Sequence, residues 1–186
     1  MATFTIEEVG ADVRVTASGT LSVTGLAGIP GTGWGVLDPS AAFLTVGPPQ
    51  ANSVPTDGYA GSITGPASFG SSSGFLGASS TTSPASIVGF GGGYVYTPVG
   101  FVSGSAISGS STFANQSFTS LGLTAGNSYT WTLPNDTIIV QIGPATPPPP
   151  PPPVSPIPTL SEWAQILMML SMIGMAGWYG RRMTRG

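Results

Sequence analysis

The stretch Thr3-Phe4-Thr5-Ile6-Glu7-Glu8-Val9-Gly10-Ala11-Asp12-Val13-Arg14-Val15-Thr16-Ala17 carries the reading of the fold. Phe4 and Ile6 alternate with Thr3, Thr5 and Glu7. Beyond Gly10-Ala11, Val13, Val15 and Ala17 alternate with Asp12, Arg14 and Thr16. Period-two alternation on both sides of a glycine-containing turn predicts a β-hairpin with one apolar face turned inward. Arg14 then shares the outer face with Glu7 or Glu8, as a solvated cross-strand pair that adds little to stability.

The same pattern recurs downstream. Thr20 to Val23, Ala42 to Val46, Ser86 to Phe90, Gly93 to Thr97, Phe101 to Ser105, Ser111 to Phe118, Ser128 to Thr132 and Asp136 to Ile142 each read as a short strand. A further short strand carries Tyr59 and Ile63, between Asp57-Gly58 and Gly65-Pro66, which read as turns. Gly47-Pro48-Pro49 stops the strand before it, and Gly89-Phe90-Gly91-Gly92-Gly93 is read as a strand turn, since no helix pattern and no Lys-Ser/Thr follows it. Gly25 to Gly35 and Ser68 to Ser86 are loops by composition. Glycine (28) and proline (19) depress helix throughout. The expectation is a mainly β protein: an antiparallel β-sandwich or barrel-like body over residues 1–143, a proline-rich polyproline II linker over 144–156, and a C-terminal tail over 157–186 with one transmembrane helix at about residues 160–182.

Composition narrows the chemistry. Charged residues make up 6% of 186, and the formal net charge is −3. In the body Arg14 is the lone base against Glu7, Glu8, Asp12, Asp38, Asp57 and Asp136, so nothing neutralises phosphates and nucleic acid is excluded as a partner. Cysteine and histidine are absent, which removes disulfides, thiolate chemistry, Cys/His zinc sites and histidine triads. Asp38 precedes Pro39 and Asp57 precedes Gly58, so both read as turn residues before they read as a glycosidase pair. Asn135-Asp136 supplies too few oxygens for calcium. Neither a catalytic residue nor a metal ligand nor a cofactor is expected. Asn115-Gln116-Ser117 and Asn135-Asp136-Thr137 match the glycosylation sequon, a pattern common by chance. Trp34, Tyr59, Tyr94, Tyr96 and Trp131 are candidates for a sugar-binding face, although core or rim placement is the commoner fate of such rings.

The tail reads differently. After the prolines come Ile157-Pro158-Thr159-Leu160-Ser161-Glu162-Trp163, an uncharged run to Gly180 that includes Ala164, Ile166, Leu167, Leu170, Ile173 and Trp178, and then Arg181, Arg182 and Arg185. Thr159 to Glu162 fits a capping box and Pro158 with Trp163 a hydrophobic staple, so a helix is expected to begin near Leu160. About 18 uncharged residues reach the lower end of a bilayer span. Trp163 and Trp178-Tyr179 fall where interfacial rings belong, and the three arginines orient the C-terminus to the cytoplasm. Ala176 and Gly180 form one small-xxx-small pair, ordinary for such a helix.

In this order, Ile157-Pro158-Thr159-Leu160, Ser161-Glu162-Trp163, the apolar run and the terminal arginines resemble the IPTL-CTERM sorting tail, a variant of the PEP-CTERM class of bacterial C-terminal signals, with Ala164 where glycine is frequent. The segments Tyr96 to Ser105, Phe118 to Leu123 and Tyr129 to Thr132 are similar in phrase pattern to bodies of secreted proteins with such tails. The resemblance implies an exported, non-enzymatic protein, held in the inner membrane and processed near Ile157 to Trp163 by an exosortase-type transpeptidase. Cell-surface display or release follows; the alternative, resting on the aromatic residues rather than on the resemblance, is a carbohydrate-binding or adhesive module delivered to the surface by the tail, with surface polysaccharide as its partner. Met1 to Thr5 shows no basic or apolar leader, so Met1 is read as lying near the mature start of a longer precursor.

Overall fold

The structure is a computed structural model that describes residues 1–83, 85–145 and 160–183. The chain divides into two compact units, Met1–Pro149 and Pro150–Gly186.

The first unit is built on the predicted hairpin. β1 (Ala2–Val9) pairs antiparallel with β2 (Asp12–Gly19), and Phe4, Ile6, Val13 and Val15 are buried while the residues between them face outward. Glu7 stands opposite Arg14 in this register, and the guanidinium donates to the carboxylate at 3.0 Å. β3 (Ala27–Gly33), β4 (Val36–Asp38), β5 (Phe43–Val46) and β6 (Val54–Ala60) follow. Next come β7 (Leu76–Gly77), β8 (Ser80–Thr81), β9 (Val88–Gly91), β10 (Tyr94–Pro98) and β11 (Gly109–Phe113). A one-turn helix, α1 (Phe118–Leu121), precedes β12 (Ser128–Leu133) and β13 (Asp136–Ala145).

Two sheets result. The first has six strands in the order β12-β13-β1-β2-β11-β8, the second seven in the order β3-β6-β10-β9-β5-β4-β7. Every pairing is antiparallel except β1 with β13, where Ala2 lies beside Ile138 and Ile6 beside Ile142. That parallel contact joins opposite ends of the body sequence, so no hairpin can make it. Apolar residues of both sheets form one core. Phe90 of the second sheet meets two rings of the first, Phe4 at 5.9 Å and Trp131 at 4.6 Å between centroids. Ser111, fully buried on β11, donates to the Gly47 carbonyl at 2.8 Å and accepts from the Gly47 amide at 2.9 Å, which bonds one sheet to the chain leaving β5.

Several expectations are corrected. Asp57-Gly58 is no turn but the middle of β6, because β3 and β10 pair on either side of it. The glycine-rich loop expected at 25–35 contains β3, an edge strand, the place in a sheet where a proline such as Pro30 is tolerated. Thr20 to Val23 and Phe101 to Ser105 form no strands; Thr20 makes one isolated bridge with Ala106. The segment ending at Phe118 turns into α1, where Ser117 caps the helix and Ser120 bonds back to it. The 68–86 loop adds a two-residue strand to an edge of each sheet. Pro144 and Ala145 belong to β13, and the rest of the expected linker lies outside the described residues.

The second unit contains α2 (Leu160–Met183), which starts where the capping pattern places it. At ~1.5 Å per residue its 24 residues measure about 36 Å. No helix among the described residues is long and apolar enough to cross a membrane, so the expected transmembrane span is not upheld. Length suffices; hydropathy falls short, because Gln165, Ser171, three glycines and three large rings dilute the aliphatic residues. Ser171 donates to the Met168 carbonyl at 2.8 Å, satisfying its own hydroxyl within the helix.

Candidate functional site

The expected aromatic face resolves into two groups. Trp131 alternates inward on β12 and is buried, its indole N–H donating to the Pro66 carbonyl at 3.1 Å. Tyr59 lies opposite core residue Val95 and packs against the core. Trp131 is therefore closed to solvent, and Tyr59 is only partly exposed. Tyr94 and Tyr96 alternate the other way on β10, onto the outer face of the second sheet, and Trp34 enters the same region from the turn between β3 and β4.

Sequence reasoning missed two partners there, Phe43 and Phe75. Ring centroids run Tyr94 to Tyr96 at 6.2 Å, Tyr96 to Phe43 at 5.7 Å and Phe43 to Phe75 at 5.1 Å. The first two pairs are tilted by 34° and 36°, whereas Phe75 stands at 72° to its neighbour, 64% exposed. Glycines make room for this strip. Tyr96 is flanked across the strands by Gly58 and Gly89 and Tyr94 by Gly91. A Cβ on Gly91 would meet the Phe43 ring, and its φ of +153° also favours glycine, so Phe43 lies down on the strand. A signal existed in the sequence: alternate glycines in Val88-Gly89-Phe90-Gly91 put small residues on one face and a core ring on the other.

Beside the strip a cleft of about 180 Å³ is lined by Thr32, Trp34, Phe43, Phe75 and Tyr96 among others, and a second of about 170 Å³ lies between Thr32, Ile29, Tyr94 and Tyr96. No charged side chain lines either. The Thr32 hydroxyl, the Trp34 indole N–H and the two tyrosine hydroxyls have no hydrogen-bond partner within the chain among the described residues. Burial, and then the neighbouring Tyr94, push the Tyr96 phenol above its ordinary value, so it stays a neutral donor.

The body carboxylates are all engaged elsewhere. Asp38 caps a 3-10 turn, accepting from the Ala41 amide and from the Gly74 amide at 3.1 Å. Asp57 accepts from the Gly100 amide, Asp12 from Asn115 and Glu8 from Phe118, while Glu7 holds Arg14. Asp136 accepts from the Ser22 amide at 2.6 Å and the Thr137 amide at 2.7 Å, and faces the Met1 amine at 2.7 Å. Burial opposes its ionisation, but the amine, the two amides and the amine's charge together hold this carboxyl below the usual carboxylate range. Among the described residues no group of three acidic side chains is placed to hold a metal.

In the tail, Ile157, Pro158, Thr159 and Arg185 lie outside the described residues, and Leu160, Ser161 and Glu162 form the first turn of α2. Trp163, Ala164, Ile166, Leu167, Leu170, Ile173 and Trp178 are exposed, and the consecutive run Leu167 to Leu170 carries apolar side chains around all sides of the helix. Arg181 and Arg182 lie in its last turn.

No curated protein matches the chain. No solved structure matches it. One family model does match, and residues 155–183 of this chain are an IPTL-CTERM motif.

Proposed function

We propose that this protein is exported cargo, sorted through its C-terminus to the bacterial cell surface or the medium, with a body that binds rather than catalyses. The observation that carries the reading is the IPTL-CTERM motif at residues 155–183 coinciding with an apolar helix. In this reading Ile157 to Trp163 is recognised by an exosortase-type transpeptidase. The helix engages the inner membrane for as long as that recognition takes, and its modest hydropathy suits a segment to be removed rather than a permanent anchor. Arg181, Arg182 and Arg185 orient it against the anionic lipid surface.

Engagement of all six body carboxylates as acceptors of hydrogen bonds from backbone amides or in an ion pair supports a non-enzymatic body. The test is the mass and location of the chain in cells with and without the transpeptidase. Shortening at the C-terminus in its presence, and accumulation of the full-length chain in membranes when Ile157 to Leu160 are replaced by alanine, are expected. Full-length chain released whole into the medium in both strains overturns the reading.

A further inference from the structure

Large rings on the solvent side of a sheet gain little from folding, since neither their apolar faces nor their polar tips are fully satisfied there. On the second sheet they are nevertheless gathered in one line. Phe43, Tyr96 and Tyr94 follow one another as rings tilted by 36° and 34° from neighbour to neighbour, Phe75 stands edge-on at the Phe43 end, and Trp34 walls the adjoining cleft. Glycines at 58, 89 and 91 keep this row free of intervening side chains.

From this geometry we propose that the outer face of the seven-stranded sheet binds a neutral polysaccharide. Pyranose rings would stack on Tyr94, Tyr96 and Phe43, one sugar would lodge against Trp34 and Phe75, and ring hydroxyls would meet Thr32, Trp34 and the tyrosines.

The chemistry on this face selects that ligand. A row of aromatic rings suits a flat molecule with apolar C–H faces, and unpaired donors at its margin suit one edged with hydroxyls. The absence of charged side chains from both clefts disfavours acidic or basic partners. A peptide added as a strand needs an open backbone edge, but β5, β9 and β10 are each paired on both sides. A lipid chain needs a deep enclosed cavity, and these clefts of about 170 to 180 Å³ are shallow. The proposal stands on the body alone and is independent of how the tail is processed.

The test is affinity electrophoresis of the full chain through gels containing a neutral glucan, mannan or xylan, with alginate as the polyanionic comparison. Quenching of tryptophan emission in a chain carrying Trp163→Phe and Trp178→Phe provides a solution readout of Trp34. Retardation by at least one neutral polysaccharide is expected. Phe75→Ala and Tyr96→Ala should each weaken it about tenfold, the scale of one lost stacking partner. Tyr96→Phe should retain most of the binding, and Thr112→Ala on the other sheet should retain all of it. Should Tyr96→Ala lose its folded thermal transition, the exposed Phe75 decides alone. No retardation by any neutral polysaccharide, retardation by alginate only, or retardation indifferent to Phe75→Ala overturns the proposal.

Discussion

The outer faces of the two sheets differ, although their inner faces obey one rule. Across β1, β2 and β11 the outward residues are Thr3, Thr5, Thr16, Ser110 and Thr112, with Glu7 and Arg14 as an ion pair. Across β5, β9 and β10 they are Phe43, Thr45, Tyr94 and Tyr96, separated by glycine. Threonine facing threonine across strands is how a sheet stabilises a solvated face. Rings on glycine are not, because glycine weakens a strand and a half-exposed ring returns little for it. Since the two sheets share a core, the difference reports on something other than folding.

The strongest test of that shared core is Phe90→Ala, which removes the ring meeting both Phe4 and Trp131. A loss of about 3–5 kcal/mol is expected, read as a shift of one cooperative urea transition. Two separate transitions would show that the sheets do not depend on one another, and the comparison of their faces would lose its meaning.

Ser111→Ala comes next. It leaves the amide and carbonyl of Gly47 without their buried partner, at about 1–3 kcal/mol by the same measurement.

A third effect belongs to acid. Asp136 ionises more readily folded than unfolded, so its contribution is complete above its ordinary value of 3.8 and is lost as pH falls below that toward the folded value. The urea midpoint should fall as pH drops below about 4, and Asp136→Asn should flatten that fall. The aromatic face, which carries no carboxylate, should contribute nothing to it.

The first sheet was legible where its contacts are local. Alternation placed Phe4, Ile6, Val13 and Val15 inside and set Glu7 against Arg14. β13 was visible as a strand, but its parallel partner was not, because nothing in Ile138 to Ile142 encodes a contact with a segment more than a hundred residues away. The second sheet was harder to read. β3 has no apolar alternation and exists because β6 pairs with it, and Asp57-Gly58 has turn chemistry yet is held straight between two neighbours. Tyr94 and Tyr96 were readable as candidates from composition. Phe43 and Phe75 were not, since their place beside Tyr96 depends on strand order rather than spacing. In the tail the helix start could be read from Thr159 to Glu162, whereas its capacity to span was overestimated by counting charges instead of weighing Gln165, Ser171 and the glycines.

The smallest effect is the most informative about the comparison. Phe75 is 64% exposed and touches the strip through one edge-on contact with Phe43, so Phe75→Ala should change stability by about 0.5 kcal/mol or less. Arg14→Ala on the opposite face should be of similar size, since an exposed ion pair is worth about 0 to 1 kcal/mol. Equal and small effects would mean that folding is indifferent to what either face displays, so the rings are retained for contact with something outside the chain. A loss above about 2 kcal/mol for Phe75→Ala would instead make the strip a second small core, beyond the surface range for single substitutions. The rings would then need no ligand to explain them.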